Sequence, residues 1–235
     1  MKASIFLATY NKGECLRNTL SSIVRQETSF PFEVCIVDDV SEKDPLPHIE
    51  EILQGKVDFT YKRLGKHVGG QFSQSICTEI MSPDSTVAVI QSCDVMYLQE
   101  DVLEELCLAI KPGFFSMATV KNIPVDPKMH SCYTEVDADT LGWDQVQGID
   151  IYSGKDRPSR DWLFFLGGMT REDLFKIDFD YRCCDVVVQQ RMKEQGMRPI
   201  FLDHVKAVHQ LHPPAHMWPC SIVDRCEYWC SRKRV

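Results

Sequence analysis

The chain has 235 residues, with 26 Lys and Arg against 34 Asp and Glu, a formal charge of −8. At 44% apolar and 26% charged residues it is globular in composition, which excludes disordered, collagen-like and mucin-like chains. Its longest apolar runs fall far short of the ~20 residues that span a bilayer, and its acidic balance disfavours generic nucleic-acid binding, which needs a basic face.

Met1–Leu7 has one lysine and a short apolar run without a cleavage-site pattern, and reads as a strand rather than a signal peptide. Ala3–Thr9 is a compact apolar run suited to a buried strand. Gly13–Gln26 carries Leu16, Leu20, Ile23 and Val24 on one helical face. Phe32–Asp38 is the second strand, and a Pro-rich loop leads to a short helix at His48–Gln54. Val57–Arg63 alternates as a third strand, Gly69-Gly70 opens a helix to about Met81, and Thr86–Ser92 is a fourth, buried strand. Leu98–Ile110 reads as helix and Gly113–Lys121 as strand. This β-α alternation predicts an α/β fold with a mainly parallel sheet flanked by helices, which binds ligands beyond the carboxyl ends of its strands. From Asn122 to about Asp161 no period is sustained, as in a lid or binding loop. Trp162–Leu166 and Arg198–Val208 read as strand-like segments. Thr170–Lys176 reads as a helix with a Thr170/Asp173 capping box, and Tyr181–Gln195 as a helix closed by Gly196. Pro213-Pro214 ends the domain, leaving a 213–235 extension with a terminal helix at Ser221–Arg232.

Eleven cysteines cannot all pair within one chain, and Cys35, Cys77 and Cys107 fall inside apolar periodic segments, where thiols behave as small core residues. A reduced, cytoplasmic protein is the expectation. The tail residues His212, His216, Cys220, Cys226 and Cys230 match no standard zinc spacing. Ser231-Arg232-Lys233-Arg234 is read as a solvated end, with contact to an anionic membrane surface or a further domain as alternatives.

Polar clusters follow the predicted strands: Thr9-Tyr10-Asn11 after the first, Asp38-Asp39 after the second, Cys93-Asp94 after the fourth, and Gly167-Gly168 after Trp162–Leu166. Asp185 begins a helix. Any one acid is explained by a cap or turn, whereas the set converges on one crevice.

Ser4-Ile5-Phe6-Leu7-Ala8-Thr9-Tyr10-Asn11-Lys12 resembles the opening strand of family-2-type glycosyltransferases with the GT-A fold. Phe32-Glu33-Val34-Cys35-Ile36-Val37-Asp38-Asp39-Val40-Ser41 is similar to that family's FEVIVVDDGS segment. The order continues through Gly69-Gly70, Asp94, Gly167-Gly168, Cys184-Asp185 and His209, covering about residues 1–212. The resemblance implies a single GT-A domain over 1–212, with a nucleotide-sugar-binding half at 1–121 and an acceptor and catalytic half at 122–212. It implies a donor site of Thr9, Tyr10, Asn11, Asp38, Asp39, Lys66, Gly70, Cys93 and Asp94, with the Asp39 carboxylate accepting from a uracil-type N–H. Asp94 and His209 would hold a divalent metal, Mn²⁺ or Mg²⁺. Trp162, Gly167 and Gly168 would shape the sugar side, and Asp185 would be the base of an inverting transfer. The implied partners are a nucleotide-sugar, with UDP favoured, and a glycan or glycoconjugate acceptor.

Several departures from the family pattern matter. Cys93 stands where the family has the first acid of its metal motif, and Met96 where a D-x-D has its second. Cys184 replaces the Glu of the E-D pair. Phe72-Ser73-Gln74 lacks the family's Arg, leaving Lys62, Arg63 or Lys66 to cover phosphate. No Q-x-x-R-W of processive synthases is present, so a single-sugar transfer is expected. A degenerate domain that only binds nucleotide or glycan and a retaining glycosyltransferase stay open as alternatives. A nucleotidyltransferase lacks its Gly-rich basic loop here, and a dehydrogenase its G-x-G-x-x-G.

Overall fold

The computed structural model describes residues 1–123, 166–177 and 185–210. In chain order the elements are β1 (Ala3–Thr9), α1 (Gly13–Val24), β2 (Phe32–Asp38), α2 (Leu46–Leu53), β3 (Asp58–Arg63), α3 (Gly70–Ile80) and β4 (Val87–Ser92). There follow β5 (Val95–Tyr97), α4 (Val102–Leu108), β6 (Phe114–Ile123), β7 (Leu166–Thr170), α5 (Arg171–Lys176), α6 (Asp185–Glu194) and β8 (Arg198–Gln210). Trp162, the 124–161 segment, Cys184 and the 213–235 extension lie outside the described residues.

The strands form one sheet in the order β3-β2-β1-β4-β7-β6-β8-β5. β3, β2, β1 and β4 run parallel, with Thr9 level with Asp38 and Ala8 level with Ser92. This register brings the residues after β1, β2 and β4 to a common edge. Beyond β4 the sheet is mixed: β7 is antiparallel to β4 and β6, while β6 and β8 are parallel. Asp203, His204 and Val205 are extra residues of β8 opposite the Ala118–Thr119 step, a bulge in that ladder.

The period-2 alternation of buried strands explains the two cores. Ile5 and Leu7 of β1 and Val34 and Ile36 of β2 face one layer, against Leu16, Leu20 and Ile23 of α1, Ile49 and Leu53 of α2, and Leu103 and Leu106 of α4. Phe6, Cys35, Val37 and Ile90 face the other, against Cys77 of α3, Leu174 of α5, and Val188 and Met192 of α6. Cys35, Cys77 and Cys107 are buried free thiols, as expected, but Cys15 is disulfide-bonded, which departs from a wholly reduced chain. Burial raises the Cys77 and Cys107 thiols, and that of Cys35 is pushed up to about 12. Among the described residues no helix is long and apolar enough to cross a membrane.

Two elements differ from the sequence reading in a way that bears on the site. β5 was not expected; it is three residues long, too short for a period, and exists because it pairs antiparallel with β8, Val95 opposite His209. Gly167 and Gly168 lie inside β7 rather than after a strand. A Cβ on Gly167 would lie 2.4 Å from Phe115 Cζ and 2.9 Å from the Ser116 carbonyl oxygen, and one on Gly168 would lie 2.5 Å from Ile110 Cδ1. Close packing of the sheet against its cover therefore accounts for both glycines. The Thr170 cap is as expected: its hydroxyl accepts from Asp173 N at 3.1 Å and donates to Asp173 Oδ2 at 2.8 Å.

Candidate active site

The β1–α1 loop, Tyr10 to Lys12, ties together the ends of three strands. Asn11 takes φ 52°, a left-handed conformation that Asn tolerates. Its N–H donates to Ser41 Oγ at 2.8 Å, and its side-chain oxygen accepts from Glu42 N at 2.8 Å. Ser41 in turn donates to the fully buried Asp38 carboxylate at 2.5 Å. Burial raises the Asp38 pKa, against opposing bonds from Ser41 and the charge of Arg63. Arg63 closes the loop: Nη2 donates to the Ser41 carbonyl at 2.6 Å, Nε lies 3.6 Å from Asp38, and Nη1 lies 3.3 Å from Asp44. Lys62 pairs with Glu79 at 2.7 Å. Neither basic side chain is therefore an idle phosphate ligand. Lys66 is exposed in the loop before α3.

Asp39, also fully buried, serves the neighbouring loop. Its N–H donates to the Thr9 carbonyl at 2.8 Å. Its two carboxylate oxygens accept from Val68 N at 2.8 Å and Gly69 N at 2.7 Å, and His67 Nδ1 is 2.9 Å from Oδ2. Gly69 has φ 99°, which only glycine adopts readily, and this turns the chain from Asp39 into α3 at Gly70. The His67 ring packs on the Tyr10 ring with centroids 4.4 Å apart. The Asp39 carboxylate holds the 67–69 loop, and through His67 it reaches the Tyr10 ring. Val40 between these loops takes φ 66°, an outlier for a β-branched residue and a mark of local strain.

The third component is the Cys93–Asp94 turn between β4 and β5. The Cys93 carbonyl accepts from Thr19 Oγ1 of α1 at 2.9 Å, and the Asp94 carbonyl from Gln210 N at 2.9 Å. The Gln210 side-chain oxygen accepts from Asn18 Nδ2 at 3.0 Å, so α1 and β8 both grip the turn. Asp94 is buried, with Oδ1 3.2 Å from His209 Nε2 and Oδ2 3.4 Å from Lys12 Nζ. The short β5 is what brings β8, and hence His209, to this carboxylate. Cys93 is buried, and burial together with the Asp94 charge pushes its thiol up to about 12, leaving it protonated and a poor ligand near neutral pH.

The structure thus gathers Thr9, Tyr10, Asn11, Asp38, Asp39, Gly70, Cys93, Asp94 and His209 at one edge. Asp185 is the first residue of α6, which Val188 and Met192 seat in the core. Lys12 and His67 had no role in the sequence reading. The signals were their positions, one after Thr9-Tyr10-Asn11 and the other just before the glycine pair. Among the described residues no group of three or more His, Cys, Asp and Glu side chains could hold a metal. Asp94 and His209 fit a site of the kind in which substrate phosphates complete the coordination of a hard cation.

Residues 4–106 match the family described as glycosyl transferase family 2. The hyaluronan synthase of Pasteurella multocida is 40% identical over 60 residues, 26% of this chain and 6% of that protein. The chain is similar in structure to TarS 1–349 of S. aureus in complex with UDP-GlcNAc, with a TM-score of 0.66 and 18% identity over 92% of this chain and 60% of that one. It is also similar to the mannosyltransferase PcManGT of Pyrobaculum calidifontis in complex with GDP-Man and Mn²⁺, with a TM-score of 0.61 and 17% identity over 88% of this chain and 56% of that one. The resemblance read from the sequence holds over residues 4–106, which match glycosyl transferase family 2, and the fold is GT-A. The chain spans a small part of the curated relative's length and less than two thirds of either solved chain.

Proposed function

We propose that the chain is a GT-A domain that moves one sugar from a nucleoside diphosphate sugar, with UDP the nucleotide, to a hydroxyl of a glycan or glycoconjugate. The observation that carries this reading is the single β1–α1 loop that joins two subsites. Tyr10 meets His67 over Asp39 at one, and Lys12 meets Asp94 beside His209 at the other. An aromatic platform next to a charged subsite suits a base linked to a diphosphate. Similar chains in complex with UDP-GlcNAc or GDP-Man support a donor of this class.

In this reading residues 1–121 bind the donor and 122–212 the acceptor. Asp94 and His209 would hold a divalent ion, which when bound offsets the diphosphate charge and stabilises it as a leaving group. Asp185 takes the proton of the acceptor hydroxyl as its oxygen attacks the anomeric carbon and the bond to the diphosphate oxygen breaks. The test is calorimetric titration of UDP with and without Mn²⁺. Asp94→Ala is expected to lose about tenfold or more in affinity with Mn²⁺ present, a loss of about 1.4 kcal/mol or more. An unchanged affinity sinks the assignment of the Asp94 subsite. The second reading, a domain that binds donor without transfer, is favoured by Cys93 and Cys184 standing where the family pattern has acids. It predicts UDP binding without donor turnover.

A further inference from the structure

We propose that Lys12 is a built-in counter-ion of Asp94 that a divalent cation must displace, and that its ammonium binds the diphosphate when no metal is present. The inference deepens the donor-site reading given above and rests on it. Asp94 is a buried carboxylate whose two oxygens face two different nitrogen-bearing groups: His209 at 3.2 Å on Oδ1 and Lys12 at 3.4 Å on Oδ2. The Lys12 and Asp94 side chains are only 21% and 10% exposed, so solvent screens the pair weakly.

A buried carboxylate left without a compensating charge is costly, and a lysine is a compact, mobile point charge able to supply it. The position of Lys12 is fixed by the fold. It immediately precedes α1, and its carbonyl accepts from Leu16 N at 2.8 Å as the first turn of that helix closes. Asn11, pinned to Ser41 and Glu42, fixes the chain direction just before it.

A divalent ion on Asp94 would meet this ammonium at close range, and the two cations repel. Occupation by metal therefore requires the lysine to leave the carboxylate. When no metal is bound, the same ammonium stands beside Asp94 and is on hand for an anionic diphosphate at that subsite. Lys12 thus weakens metal binding and strengthens metal-free nucleotide binding, two effects of opposite sign from one side chain.

That opposition is the test. Mn²⁺ binding is read by loss of the free-ion electron paramagnetic resonance signal, and metal-free UDP binding by calorimetry with chelator present. Lys12→Gln is expected to bind Mn²⁺ about tenfold more tightly and metal-free UDP about tenfold more weakly than the unaltered chain. Lys12→Arg keeps the charge and should hold both values near those of the unaltered chain, and Asp94→Asn in the Lys12→Gln background should abolish the gain in Mn²⁺ affinity. A misfolded variant loses both ligands and cannot mimic the expected pattern. If Lys12→Gln leaves either affinity unchanged, or lowers both, the counter-ion role is overturned. Sugar transfer is not read in these titrations, so failure of the transferase reading, seen only as absent turnover, is separable from failure here.

Discussion

Asp39→Asn removes one negative charge and exchanges one carboxylate oxygen for an NH₂ group in a fully buried position. In the native chain the two oxygens accept from Val68 N and Gly69 N at 2.8 and 2.7 Å. Hydrogen bonds to a charged acceptor contribute about 1.5–3 kcal/mol each. The amide keeps one acceptor, so one of the two N–H groups loses its bond and faces another donor. The surviving bond becomes a neutral one, roughly half as strong. Together these give an expected loss of about 2–4 kcal/mol in folding free energy. The His67 contact is left out because that ring is about a third exposed and solvent screens it. Urea unfolding should show the midpoint falling by about 1–2 M at an ordinary slope. UDP affinity should fall with it, because the Tyr10–His67 platform depends on the same loop. A variant with an unchanged midpoint refutes the claim that Asp39 clamps the 67–69 loop. An unchanged midpoint with collapsed UDP affinity would put the carboxylate on the ligand instead.

Three further outcomes are expected. Gly167→Ala should destabilise the fold by about 1–3 kcal/mol or more, since its Cβ meets the buried Phe115 ring and a backbone oxygen; denaturation curves matching those of the unaltered chain alongside lost activity would return this glycine to the sugar site. Asp185→Asn should abolish transfer while leaving UDP affinity within about twofold, measured on the same preparation; retained turnover removes the base and favours a retaining route. The buried thiols Cys35 and Cys77 titrate above the usual range in the folded chain, so the unfolded chain releases these protons first and stability falls as pH rises above about 9. Urea midpoints measured from pH 8 to 11 check this, and a midpoint that holds or rises across that window contradicts it.

β1 and β2 were legible to the residue because buried parallel strands are short continuous apolar runs, Ala3–Thr9 and Phe32–Asp38, and both end on polar residues. The α1 face was legible from Leu16, Leu20 and Ile23, which are buried as the spacing requires. β5 was not, because a three-residue strand exists only through its partner β8, 100 residues and more along the chain. The glycines of β7 were misplaced for a related reason: their need for open space comes from Phe115 and Ile110, which no local pattern reveals. At the candidate site, residue types at strand ends pointed to the sheet edge where Asp39 and Asp94 lie. Their partners did not follow from sequence, since Val68 and Gly69 offer only backbone N–H groups and Lys12 reads as an ordinary basic residue before a helix.

The most direct measurement is phosphorus NMR of the chain incubated with a panel of nucleotide-sugars and Mn²⁺, following release of nucleoside diphosphate. Release from one nucleotide-sugar, slow without acceptor and lost in Asp94→Ala, is the predicted result. No release from any member of the panel would contradict a sugar-transferring function for this site.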